Sequence, residues 1–240
     1  MKPRLISCIY AFDEATRWAY PHIIKVREFA ESKGYVTYRC EGEYACRTCV
    51  LDAFRREEYV TIFLCLTHGE EDKLLDMHGN AIISVDTIDP SMVKENRIYL
   101  VYACHSAKVL GPTLVNLGAK AYWGWRDWAF VGKPGTPSEK LQEAVKDAWV
   151  MFLNGASLEE AFNHAHKVWC HEAVRAATHL DLHLANVFLK QSANNVLIVK
   201  EESDVKYRLP ESALLLTAYS FITIPAVILA LKYIMENIKI

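Results

Sequence analysis

Two short apolar runs, each closed by a residue able to do chemistry, constrain this chain more than any other feature. Residues 59–66 and 97–102 are rich in Val, Ile, Leu, Phe and Tyr. Both are too short for a typical helix and stop at small or polar residues, so each reads as a buried strand. The first closes on Thr67-His68-Gly69-Glu70, the second on Ala103-Cys104-His105-Ser106-Ala107. In an open α/β sheet, parallel strands deliver the residues just past their carboxyl ends to one crevice. If the two strands are neighbours, His68 and Cys104 meet there. A thiol near an imidazole can ionise at neutral pH, and the thiolate is the reactive form, which makes the pair a candidate nucleophile and base. Gly69, lacking a side chain, lets its backbone N–H approach an oxyanion closely.

The rest of the chain alternates in the same style. Residues 4–11 read as a strand, 16–33 as a helix closed by Gly34, 35–39 as a strand and 44–57 as a helix. After the strand leading to His68 comes a hairpin over 73–88 around His78-Gly79-Asn80, then the strand leading to Cys104. Helix over 110–117, strand over 120–125, helix over 138–153 and one long helix from 157 to about 189 follow. Residues 195–201 add an edge strand, and 202–211 read as a polar linker. Such alternation favours a mostly parallel sheet covered on both faces, and a chain of 240 residues has room for one such domain over 1–201 plus an appendage.

That appendage is apolar. Residues 212–231 carry no charge, about the length of a helix that crosses a bilayer core, which predicts a membrane anchor over 212–232 with the catalytic domain facing the cytoplasm. Pro225 is tolerated in membrane helices, and the alternative is a buried terminal helix of the core. The N-terminal run at 5–11 meets Asp13 and Glu14 with no credible cleavage site, so no secretory signal is expected. A formal net charge of −2 gives no electrostatic case for nucleic acid. Seven irregularly spaced cysteines do not suggest a disulfide framework, which favours a reducing compartment.

At Thr67-His68-Gly69 and Tyr102-Ala103-Cys104 the chain resembles the caspase-like cysteine peptidases of clan CD, the group containing caspases, metacaspases, gingipains, separases and CHAT domains. That group carries a His-Gly after one central strand and an Ala-Cys or similar after the next. The likeness extends through Leu114-Val115-Asn116-Leu117-Gly118-Ala119-Lys120-Ala121-Tyr122-Trp123-Gly124, which is similar to the CHAT and gingipain helix, Gly-Ala turn and strand ending in Gly. It continues at Phe152-Leu153-Asn154-Gly155-Ala156-Ser157-Leu158-Glu159-Glu160-Ala161, similar to the family's helix, Gly and Ser-Leu-x-x-Ala helix start. The resemblance covers roughly residues 59–166 and implies a caspase-like three-layer α/β/α sandwich.

It also implies a reaction. Cys104 would attack a peptide carbonyl, His68 would assist proton transfer to the leaving amine, and the N–H groups of Gly69 and Cys104 would hold the oxyanion. Water would then hydrolyse the thioester, with no metal or cofactor required. The implied partner is a protein or peptide substrate, and self-association into a dimer is left open. Tyr102 stands where metacaspases carry an Asp that binds a basic side chain, so basic specificity does not transfer simply. Arg126 and Asp127 fall where the family often builds its specificity pocket, Arg126 favouring an acidic and Asp127 a basic substrate residue, with a surface ion-paired turn as the bland alternative. Residues 132–137 are either a mobile loop beside the site or a connector.

Other residues compete for these roles. His78-Gly79 is a second His-Gly pair, but it sits in the hairpin turn rather than after an apolar strand. His105 should point away from Cys104 if the strand persists. Cys46-Arg47-Thr48-Cys49, with Cys40 nearby, has redox or metal spacing but lacks a matching second pair. The long helix carries His164, His166, Cys170, His171, His179 and His183, and a continuous helix would put His179 and His183 on one face. Two alternatives to a peptidase therefore stand beside it: a catalytically silent caspase-like module that binds partners, and a metal-binding membrane protein using the histidine-rich helix.

Overall fold

A computed structural model describes residues 3–10, 13–56, 61–201 and 204–208. Among these residues, β1 (Arg4–Ile9), β2 (Val36–Glu41), β3 (Thr61–Leu66), β7 (Arg97–Tyr102), β8 (Ala121–Trp125), β9 (Asn195–Glu201) and β10 (Asp204–Arg208) form one sheet, in the order β10-β9-β8-β7-β3-β1-β2. β2, β1, β3, β7 and β8 run parallel, and β9 and β10 close the sheet antiparallel. A separate small sheet, β4 (His68–Gly69), β5 (Lys73–Leu75) and β6 (Ala81–Ser84), stands beside it.

The central strands are mostly apolar, with Ser7, Thr61 and Arg97 as buried exceptions, because both of their faces are covered. Alternate residues point to opposite faces of a strand. Leu5 and Ile9, Ile62, Leu64 and Leu66, Leu100 and Tyr102, and Trp123 and Trp125 share one core with α1 (Glu14–Ser32), α4 (Lys140–Leu153), α5 (Leu158–Thr178) and α6 (Leu182–Asn194). Ile6 and Cys8, Phe63 and Cys65, Tyr99 and Val101, and Tyr122 share the other with α2 (Arg47–Arg56), α3 (Leu110–Asn116) and the small sheet. In α1 the buried Ala19, Ile23, Val26 and Ala30 recur at the three- and four-residue steps of one helical face. The molecule is thus an α/β fold with helices on both sides of a mostly parallel sheet.

Several expectations change. The long helix from 157 breaks: α5 ends at Thr178, Leu180 takes a left-handed φ of 62°, and Asp181 caps α6 by accepting from the Leu184 N–H at 2.9 Å. His179 therefore caps one helix while His183 belongs to the next, and the shared face disappears. Asp204–Arg208, expected in a linker, pairs antiparallel with β9, so β9 is internal and β10 is the edge. Cys40 and Cys49 form a disulfide with Cα atoms 5.7 Å apart, where the cysteine spacing pointed to none; Cys46 keeps a free thiol. The anchor expected over 212–232 lies outside the described residues, and among the described residues no helix is long and apolar enough to cross a membrane.

Candidate active site

From β1 the chain goes to β2 on one side and then to β3 on the other, so the strand order reverses between β1 and β3. Open α/β sheets bind ligands outside the carboxyl ends of the strands at such a switch point. Three chemically capable residues follow the ends of three adjacent strands there: Asp13 after β1, His68 after β3 and Cys104 after β7. The pairing that the sequence required is present, with Leu66 of β3 opposite Tyr102 of β7 in a parallel register. All three residues line one cavity of about 500 Å³.

His68 is aimed by the segment around it. The Thr67 N–H still bonds to the Tyr102 carbonyl at 3.3 Å, and the Thr67 hydroxyl donates to the Leu75 carbonyl. The chain then leaves the main sheet, pairing His68 with Leu75 and Gly69 with Leu74. This exit carries the imidazole into the mouth of the cleft, where Nε2 meets the Asp13 carboxylate and the ring lies edge-on to Tyr10, centroids 6.3 Å apart. Gly69 lies hard against the nucleophile's backbone. A Cβ there would overlap the Cys104 carbonyl oxygen and come within 3.0 Å of the Ala103 Cβ.

Asp13 serves two elements at once. Its Oδ1 accepts from the Thr16 N–H and the Thr16 hydroxyl, both at 2.7 Å, which caps α1, while Oδ2 holds His68. Burial alone would raise its carboxyl pKa, but the bonds from Thr16 and His68 outweigh this and hold it below the usual carboxylate range. Asp13 is therefore an anion suited to orient the His68 ring.

Cys104 sits at a sharp turn rather than in a continuing strand. His105 has φ 56°, its N–H donates to the Asp127 carbonyl at 2.8 Å, and its ring lies 5.0 Å from that of Trp128 with Nδ1 3.6 Å from an Asp127 carboxylate oxygen. His105 thus belongs to the rim. The Cys104 sulfur accepts the Ala129 N–H at 3.4 Å. Burial pushes the thiol pKa up, the N–H groups of Ala129 and of Cys104 itself pull it back, and the Asp127 carboxylate adds a smaller upward push. The net direction is upward, so the resting sulfur is a thiol at neutral pH.

The chain after β8 forms a fixed wall across the cleft. The Arg126 N–H bonds to the Asn194 carbonyl at 2.8 Å and the Phe130 N–H to Gln191 Oε1 at 2.9 Å, while the Tyr102 hydroxyl donates to the Phe130 carbonyl at 2.6 Å. Gly132 exchanges two bonds with the Gln142 side chain, at 2.9 and 2.8 Å, which ties the start of the 132–137 connector to α4.

Of the residues singled out from sequence, His68, Cys104 and Tyr102 line the cavity, with Gly69 packed behind. Arg126 and Asp127 are exposed and stand outside the lining; Asp127 is engaged with His105. His78 sits in the turn between β5 and β6. Sequence reasoning missed Asp13, Trp18 and the wall from Trp128 to Val131. Asp13 was within reach: the rule that drew attention to His68 and Cys104 applies equally to an Asp shortly past the end of β1.

No family model matches this chain, and no curated protein matches it either.

Proposed function

We propose that the chain is a caspase-like cysteine endopeptidase with Cys104 as nucleophile, His68 as general acid–base and Asp13 as the residue that orients His68. The observation carrying this reading is the convergence of a thiol, an imidazole and a carboxylate on one cavity at the ends of three adjacent strands. Asp13 on Nε2 favours the tautomer with its proton there and leaves Nδ1 to act as base. Because the resting thiol is protonated, its proton passes to His68 as Sγ attacks the substrate carbonyl. The Sγ–C bond forms while the N–H groups of Gly69 and Cys104 face the oxyanion. The C–N bond then breaks, His68 gives the proton to the leaving amine, and water adds to the thioester to release the acid and restore the thiol.

The raised Cys104 pKa favours the alternative of a silent, partner-binding module. Incubating the full chain and its Cys104→Ala, His68→Ala and Asp13→Ala variants with a diverse peptide mixture, and reading new termini by mass spectrometry, separates the two. Cleavage lost in the first two variants and weakened in the third supports the peptidase; cleavage absent from the folded parent, or unchanged in Cys104→Ala, rejects it. Anchorage of this domain to a membrane through residues 212–232 remains part of the proposal, on the strength of the uncharged apolar run alone.

A further inference from the structure

We propose that the cavity beside Cys104 is a pocket for one large apolar side chain, so that the peptidase proposed above, on whose assignment of Cys104 this rests, cleaves after Phe, Leu, Met or Tyr rather than after a charged residue. The walls carry the argument. Leu66 and Tyr102 contribute the strand ends, Trp18 comes from α1, and Trp128, Phe130 and Val131 come from the segment after β8. About 500 Å³ accommodates an aromatic side chain together with the peptide backbone that carries it.

The charged groups nearby do not build a charged-residue pocket. Asp13 already spends one oxygen on the α1 cap and the other on His68. Arg126, the cation expected to receive an acidic side chain, stands outside the lining, and an incoming carboxylate would meet Asp13 and Glu14 in the lining. An incoming cation would exchange water for indole, phenol and aliphatic walls, and Glu14, exposed at the start of α1, is the lining carboxylate that could attract it. Trp128 adds an independent sign. It is 58% exposed at the rim of the cleft, where a bound apolar side chain would cover its indole. The wall is also held before any substrate arrives, through the Phe130 bond to Gln191 and the Gly132 bond to Gln142, which Cys104→Ala leaves in place and which lower the ordering cost of filling the pocket.

The test separates recognition from catalysis. Blocked tetrapeptide amides that differ only in a Phe, Leu, Arg or Asp at the residue whose carbonyl is attacked are titrated into full-length Cys104→Ala protein by calorimetry. The Phe and Leu peptides should bind at least about tenfold more tightly than the Arg and Asp peptides. Trp128→Ala in the same background, an exposed change that leaves the core untouched, should weaken Phe binding several-fold without affecting Arg. Val131→Asp should move the preference toward Arg. Equal affinities, or an Arg preference without that substitution, overturn the pocket. Parent protein is assayed in parallel: Cys104-dependent cleavage after Arg overturns the pocket and leaves the peptidase standing, whereas apolar-selective binding without cleavage supports the pocket and removes the peptidase.

Discussion

Acidification should destabilise this fold through a histidine outside the lining of the Cys104 cavity. His166 of α5 is fully buried between Phe162 and Trp169, with Nδ1 2.7 Å from the Ser192 hydroxyl and Nε2 3.2 Å from Asn195 Oδ1. Asn195 Oδ1 also accepts from the Trp123 indole at 2.7 Å, so it is an acceptor; Nε2 of His166 then carries the proton and Nδ1 accepts from Ser192. Burial pushes the imidazole pKa down to about 3, whereas an unfolded histidine titrates at about 6.5. The unfolded state therefore binds the extra proton between these values, and stability is intact above about pH 6.5 and falls as pH drops below it. At about 1.4 kcal/mol per pH unit, the loss from pH 7 to pH 5 is about 2 kcal/mol. His22, also depressed by burial, adds loss of the same sign. Urea unfolding at a series of pH values, on the parent and on His166→Gln, isolates the effect because His22 is common to both. The parent should lose about 2 kcal/mol more than the variant between pH 7 and pH 5. Equal losses would refute the assignment of His166 as a buried neutral group.

Asp13→Asn retains a side chain able to cap α1, so its stability should stay within about 0.5 kcal/mol of the parent while turnover by the proposed peptidase falls at least about tenfold. Asp13→Ala should lose turnover and also about 1 kcal/mol of stability; a turnover loss that tracks stability in both variants would make Asp13 a cap alone. Gly69→Ala should cost about 1–3 kcal/mol in unfolding measurements and abolish detectable cleavage, since the new methyl displaces the Cys104 backbone; a fully active Gly69→Ala protein contradicts that packing. A chain ending after Arg208 keeps β10 and should remain folded; on the proposed anchorage the full chain floats with vesicles and the shortened chain does not, whereas unfolding of the shortened chain would show the apolar tail to be core.

The local parts of this protein were written in local patterns. Apolar runs with polar ends defined β3 and β7, Gly34 marked the close of the first helix, and His78-Gly79-Asn80 marked a hairpin turn, because each depends on a few neighbouring residues. Where the signal was weak the reading failed. His179-Leu180-Asp181 breaks a helix without Gly or Pro, through a left-handed Leu180 and an Asp181 cap, and Asp204–Arg208 is charged as edge strands often are and so passed for a linker. The remaining decisions were non-local. Strand order put the end of β1 beside that of β3, which made a helix cap into the partner of His68; the packing of α4 and α6 placed Gln142, Gln191 and Asn194 where they fix the wall of the cleft. The sequence by itself determined which residues end the central strands, because period and composition act over a few positions. Only the tertiary structure decided which of those ends meet, that Asp13 joins them, and that the cavity they share has apolar walls, because these depend on strand order and helix packing between residues far apart in the chain.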